Sequence, residues 1–196
     1  MIPDYLAALL AALVWGSLAA PLLRTHGAGW VWLPPLGFFL LALVPALAPF
    51  LLWLGLGGFS LTSGLLALSV LLIGHWPWSR PLLPAAQRRI LVFVMPPLAA
   101  LIWLPALGWG PGDLWALGLG DFRLSTMLLC VGLGLWVIRA YTLCLLLVAA
   151  QCAFAVGLLP AANLWQYLVD PWLGLALFVA WLWWLWRPPV TAVAHD

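Results

Sequence analysis

The chain has 196 residues, of which 67% are hydrophobic and 6% are charged. Its twelve charged side chains are seven arginines and five aspartates, and it contains no lysine or glutamate. Because a soluble domain carries about a quarter charged residues, this composition excludes a soluble enzyme, a nucleic-acid-binding protein, a disordered tail and a secreted disulfide scaffold. We therefore expect lipid to surround most of the chain.

The first apolar segment, residues 2–23, is predicted to be an uncleaved membrane span. Asp4 lies near its start and the first cation of the chain, Arg24, follows it, which reverses the charge order of a secretory signal peptide. Small residues recur along it at a spacing of four, so a helix from this chain or from a partner can approach closely. These residues are Ala8, Ala12, Gly16 and Ala20.

Breaks at glycine, proline and charged residues divide the whole chain into seven apolar segments, each near the length of about 20 residues that crosses a bilayer. They are residues 2–23, 30–53, 59–76, 90–107, 122–138, 141–159 and 164–186. The fourth contains Pro96, Pro97 and Pro105, so it is expected to kink or to start late. The predicted fold class is all-α, a polytopic transmembrane helix bundle of about seven spans, with six or eight spans as alternatives.

Arginine placement predicts how these spans are oriented. Six arginines fall in the loops after spans one, three and five and in the C-terminal tail: Arg24, Arg80, Arg88, Arg89, Arg139 and Arg187. The other side carries Asp4, Asp113 and Asp121, with Arg123 as its one cation. Because arginine in short loops marks the cytoplasm, we expect an outside N-terminus, a cytoplasmic C-terminus and a bacterial-type inner membrane. Tryptophans near the predicted span ends are expected to form an interfacial belt.

An internal repeat of about 63 residues is a further hypothesis. Residues 54–63 recur as 117–126 with six of ten positions identical, and Pro34-Pro35 recurs as Pro96-Pro97. Chance similarity in a leucine- and glycine-rich chain is the alternative. A true duplication predicts parallel repeat units 34–96 and 97–160 within one membrane domain, residues 1–196.

Polar residues in lipid are costly and often functional, and five of them are candidate binding residues: Asp113, Asp121, Arg123, Asp170 and Gln151. Asp170 lies about a turn and a half into the seventh predicted span, where an ion pair with Arg123 is the leading interpretation. A substrate or ion site and a solvated interfacial carboxylate are the alternatives. Gln151 either lines a pathway or forms an interhelical hydrogen bond, and the serines of span three are expected to bond to their own helix backbone.

The basic inner loop supplies candidate ligands for lipid phosphates, Arg80, Arg88 and Arg89, the alternative being that they only orient the chain. Bound lipids are expected, and no catalytic residue, metal ligand or cofactor is predicted. The three cysteines lack metal-binding spacing and are expected to be small core residues.

The function that we expect is that of a non-catalytic subunit or scaffold of a larger inner-membrane assembly. Its partners would be membrane lipids and other membrane protein chains, and not nucleic acid. An interior almost free of ionisable groups and the small-residue stripe of span one favour this hypothesis. The first alternative is a small transporter or lipid-handling protein with an outward-facing acidic entrance. The second is an intramembrane enzyme acting on a lipid-linked substrate, which would take an acid–base pair from the outer aspartates.

Overall fold

The structure, a computed structural model, describes residues 2–23, 28–44, 58–75, 82–109 and 112–186. All regular secondary structure within these ranges is helical, which confirms the all-α class. The α-helices are α1 (Ile2–Leu23), α2 (Leu33–Ala42), α3 (Leu61–His75), α4 (Ala85–Ala106), α5 (Phe122–Val137), α6 (Tyr141–Ala155), α7 (Trp165–Leu168) and α8 (Pro171–Trp186). Short 3-10 helices cover Ala28–Trp32 and Ala116–Gly118.

The helix bounds match several predicted spans and correct others, the fourth among them. α1 covers its predicted span, and α5 and α6 begin at the predicted Phe122 and Tyr141. α4 begins at Ala85 rather than at residue 90 and runs through three prolines, so of the two alternatives the late start is wrong, and the kink stays a prediction. Pro84 stands before the first turn, where a proline is tolerated, and the residues after it favour helix. Residues 45–53 of the predicted span 30–53 and the residues Arg24, Arg80 and Arg187 lie outside the described ranges.

One described helix is long and apolar enough to cross a bilayer. It is α4, whose most apolar 18-residue window has a mean hydropathy of 1.8. The apolar helices α5, α6 and α8 have 16, 15 and 16 residues, fewer than the typical span of about 20. The seven-span bundle therefore remains a prediction.

Neighbouring helices in the C-terminal half run in opposite directions. α5 and α6 form a hairpin, in which a Cβ on Gly132 would lie 3.3 Å from a methyl group of Leu147. α4 and α8 are antiparallel, because Phe93 packs against Trp184 with ring centroids 5.1 Å apart. The same helices meet again farther along, where Ala99 lies 3.1 Å from the position of a Cβ on Gly174.

A glutamine aligns the starts of α4 and α6. Gln87 Oε1 accepts a hydrogen bond from the Leu143 N–H at 3.2 Å, and the glutamine side chain is buried. Because α6 follows α5 through a short turn, the start of α4 lies beside the end of α5. We call this end, which carries Arg88, Arg89 and Arg139, the basic end. The opposite end, with residues 113–123, is the acidic end.

The small-residue stripe of α1 is used inside this chain. Ala8, Ala12 and Ala20 are buried, and a Cβ on Gly16 would lie 2.6 Å from the backbone of Pro35 in α2. Close approach of α2 to α1 therefore requires glycine at this position. The stripe gives no support for a partner chain, which was one of its two predicted uses.

The cysteines are only partly in the core. Cys144 is buried, whereas Cys130 and Cys152 are exposed on α5 and α6, and all three are free thiols. The expectation of three core cysteines is thus wrong for two of them. Both exposed thiols lie on apolar helix faces, which a hydropathy pattern does not distinguish from the core.

Candidate functional site

Asp170 lies in a break between two helices and not inside a continuous span. α7 ends at Leu168 and α8 begins at Pro171, so the predicted helix 164–186 is divided. Proline disfavours helical backbone in the residue before it and suits the first position of a helix. Asp170 therefore caps the start of α8, and its Oδ1 accepts a hydrogen bond from the Leu173 N–H at 2.8 Å.

The second carboxylate oxygen of Asp170 binds the start of α3. Oδ2 accepts hydrogen bonds from the Ser60 N–H at 2.9 Å and from the Ser60 hydroxyl at 2.8 Å. The Ser63 hydroxyl also donates to Oδ2. Ser60 in turn caps α3, because its Oγ accepts from the Ser63 N–H at 3.1 Å. One carboxylate thus joins the starts of two helices that are 110 residues apart in sequence.

This cluster is sealed from solvent. Asp170 is 1% exposed and Ser60 is 0% exposed. Burying a carboxylate without partners costs several kcal/mol or more, and here four donors replace the lost water. Charge-assisted hydrogen bonds and the positive ends of two helix dipoles both stabilise negative charge at this position.

The predicted ion pair between Asp170 and Arg123 is wrong. The partners of Asp170 are serine hydroxyls and backbone N–H groups, while Arg123 is exposed. The backbone N–H of Arg123 donates to Asp121 Oδ1 at 2.8 Å. Asp121 therefore caps α5, as expected for an acid at the positive end of a helix dipole.

The remaining candidate residues do not join Asp170. Asp113 is exposed, and its Oδ1 accepts from the Ala116 N–H at 3.0 Å, which stabilises the local turn. Gln151 is half-buried on α6, and none of the side-chain hydrogen bonds found in the described ranges involves it. Three of the five predicted residues thus lie on the acidic end, one lies beneath it, and Gln151 is separate.

A folded segment covers Asp170 at the acidic end. Asn163 donates from Nδ2 to the Trp115 carbonyl at 2.9 Å, and the Trp165 indole N–H donates to the Leu114 carbonyl at 2.8 Å. The Tyr167 hydroxyl accepts from the Leu159 N–H and donates to the carbonyl of the same residue, at 3.0 and 2.9 Å. These bonds hold residues 159–169, the segment that leads into Asp170, against residues 114 and 115 at the acidic end.

Sequence reasoning missed the two serines that bind Asp170. Ser60 and Ser63 were expected to bond only within their own helix, as Ser69 does with the Leu66 carbonyl at 2.6 Å. A usable signal existed, since serine is strongly preferred at the N-cap position of a helix. Nothing in the sequence, however, says that an aspartate 110 residues away completes it.

An apolar cavity lies next to this cluster, and we call it the α1–α3–α8 cavity. Its volume is about 550 Å³. Ser63 is one of its few polar lining residues, and most of the others are aliphatic. Trp15 forms part of the wall, with edge contacts to Phe59 at 5.9 Å and to Trp172 at 5.7 Å between ring centroids. The cavity suits an apolar molecule.

Comparisons of the chain with protein-family models, with curated proteins and with solved structures give no match. In the part of the chain that the structure describes, no group of three His, Cys, Asp or Glu side chains is arranged to hold a metal ion. The interpretation of the site therefore depends on its own geometry.

Proposed function

We propose that this chain is a non-catalytic integral membrane protein that serves as a subunit or scaffold of a larger inner-membrane assembly. The outward face of α5 is the observation that carries the proposal. Its exposed large side chains are Phe122, Met127, Leu129, Val131, Leu133, Trp136 and Val137. Monomeric soluble proteins rarely expose a contiguous apolar patch of this kind, so lipid or another chain is expected to cover it.

The separation of charge between the two ends supports a membrane position. Arg88, Arg89 and Arg139 belong to the basic end, whereas Asp113 and Asp121 belong to the acidic end. Helices of 15 or 16 residues are about 23 Å long, somewhat less than the hydrocarbon core. Local thinning of the bilayer accommodates such a difference at modest cost.

The bonding of Asp170 supports a structural role for the one buried carboxylate of the described residues. All four of its donors belong to residues that begin α3 or α8. A general acid or base needs access to a substrate atom within hydrogen-bond reach. At 1% exposure, this carboxylate supports the helix starts and does not face a substrate.

Native mass measurement after mild detergent extraction tests the proposal. We expect the chain to stay in the membrane fraction after alkaline washing and to appear in a complex larger than the 21.4 kDa of one chain. We expect polar substitution of the α5 face, Leu129→Gln with Leu133→Gln, to release the chain from this complex. Leu101→Gln with Leu104→Gln, at exposed positions of α4, is the matched control. A monomer without other polypeptides would contradict the subunit role.

The α1–α3–α8 cavity favours a lipid-handling protein as the second candidate. Its volume of about 550 Å³ lies within the range of about 300–1,000 Å³ typical of ligand pockets. Leu18, Val70 and Leu175 line it and are exposed, so it opens sideways between helices. The predicted acidic entrance does not line it. A monomer that keeps a bound lipid in the same measurement would favour this candidate.

A further inference from the structure

Three arginines from two separate parts of the chain lie at the basic end. Arg88 and Arg89 lie in the first turns of α4, and Arg139 lies in the turn between α5 and α6. The hydrogen bond from the Leu143 N–H to Gln87 holds these two segments together. All three arginine side chains are exposed. The sequence predicted Arg139 to lie on the same side as Arg80, Arg88 and Arg89, but only the latter three were candidate ligands for lipid phosphates.

The starts of α4 and α6 add partial positive charge at the same place. Pro84 and Ala140 precede these helices, and neither provides a side-chain cap; in the first turn of α6, the Leu143 N–H already donates to Gln87 Oε1. The first N–H groups of a helix lack intrahelical partners and attract anions. Arginine in the first turn of α4 is itself unfavourable next to the positive end of the helix dipole. A bound anion would relieve this repulsion.

No carboxylate between residues 82 and 186 lies at this end to balance the charge. The aspartates of this region are Asp113, Asp121 and Asp170, and all three belong to the opposite end, where α4 and α6 finish and α5 and α8 begin. Within residues 82–186, the positive charge of the basic end therefore has no carboxylate to balance it.

Aromatic side chains identify the kind of molecule. Trp136 and Tyr141 flank Arg139 in sequence and pack edge to face with ring centroids 4.9 Å apart. Trp184 reaches the same end through its contact with Phe93. Tryptophan and tyrosine favour the headgroup level of a bilayer, and basic residues between helices there bind anionic lipid headgroups.

The geometry points to a binding site for the phosphate headgroup of an anionic phospholipid at the basic end, formed by Arg88, Arg89 and Arg139 with the starts of α4 and α6. The site rests on the proposed membrane position of the chain. Such a site would prefer anionic lipids to neutral ones, whereas arginines that only orient the chain need no preferred lipid.

Lipid binding to the purified full-length protein in a non-ionic detergent tests this site. The probes are short-chain phosphatidylglycerol, short-chain phosphatidylcholine and inorganic phosphate. We expect phosphatidylglycerol to bind more tightly than phosphatidylcholine. Its affinity should fall as ionic strength rises, because salt screens the charges. Because one arginine near a charged lipid contributes about 1 kcal/mol, Arg88→Gln and Arg139→Asn should each weaken binding about five-fold.

The variants are chosen so that folding defects do not imitate lost binding. Arg139 has a φ of 61°, and asparagine tolerates this backbone better than other non-glycine residues. Arg123→Gln, at the other end of α5, is the matched control and should leave the affinity unchanged. The thermal transition of each variant without lipid shows whether it is folded.

Three results would overturn the inference. The first is equal affinity for the two lipids. The second is a loss of phosphatidylglycerol affinity in Arg123→Gln as large as in the Arg88 and Arg139 variants. The third is binding of inorganic phosphate as tight as that of phosphatidylglycerol. The last result would identify a site for a free anion. A chain that leaves the membrane fraction would instead contradict the proposed function, so the two failures are distinguishable.

Discussion

Asp170 shows how a carboxylate is buried without a cation. Serine hydroxyls and backbone N–H groups take the place of water around it, at distances of 2.8–2.9 Å for Ser60 and Leu173. Each donor comes from a helix start, where N–H groups have no other partner. The carboxylate and the two helix starts therefore satisfy one another, and removing any of them leaves the others unpaired.

Replacing Asp170 tests this mutual dependence. Asp170→Ala leaves the Ser60 and Leu173 N–H groups buried and unpaired, so we expect the free energy of unfolding to fall by about 3 kcal/mol. Asp170→Asn keeps one acceptor oxygen, so it should reduce the free energy of unfolding by less than the alanine variant does. Denaturation in mixed detergent micelles, followed by tryptophan fluorescence, measures both changes.

Two matched variants separate the observed bonds from the ion pair predicted by sequence. Asp121→Ala removes an aspartate cap with a single bonded N–H and should cost about 1 kcal/mol. Arg123→Ala should change the free energy of unfolding by less than about 0.5 kcal/mol. A loss in Arg123→Ala as large as in Asp170→Ala would show that the ion pair exists after all.

Among the elements, the pairing of α1 with α2 depends on one glycine. Gly16→Ala places a Cβ 2.6 Å from the Pro35 backbone, and we expect it to reduce the free energy of unfolding by about 1–3 kcal/mol. Gly37 on α2 has no neighbour within 4 Å of a Cβ, so Gly37→Ala should stabilise the helix by up to about 1 kcal/mol. Changes of opposite sign in the free energy of unfolding of the two variants, measured in the same denaturation experiment, would confirm close packing at Gly16. Equal and small effects would contradict it.

Helix positions followed from sequence where a local signal was strong. Asp121 before Phe122 marked the start of α5, and the apolar run of α1 was bounded correctly. The division at Pro171 was missed because the flanking residues are apolar on both sides, and hydropathy does not detect a two-residue break. The prediction gave too little weight to the effect of proline on the preceding residue.

The site was only half predictable, because its partners are distant in sequence. An aspartate before Pro171 in an apolar segment was a visible anomaly, and Asp170 was correctly singled out. Ser60 and Ser63 are common polar residues with an adequate local explanation, so no local pattern paired them with Asp170. Gln87 aligns α4 with α6, but it was not singled out, because it lies in a predicted basic loop and its partner Leu143 is distant in sequence.

For the whole molecule, the alternating directions of α4, α5, α6 and α8 agree with the pattern expected for four successive spans. The arginines and aspartates then lie at opposite ends of these helices, which is the arrangement that the positive-inside rule predicts for helices that span a membrane. The candidate repeat units 34–96 and 97–160 stay a prediction, and part of the first copy lies outside the described residues.

Site-directed cysteine labelling in intact cells tests the central claim most directly, since it reports whether the two ends lie on opposite sides of a membrane. In a variant without native cysteines, Leu119→Cys marks the acidic end and Ile138→Cys marks the basic end, both at exposed positions. We expect a membrane-impermeant maleimide to label position 119 in intact cells and position 138 only after permeabilisation. Labelling of both positions from the same side would contradict the account.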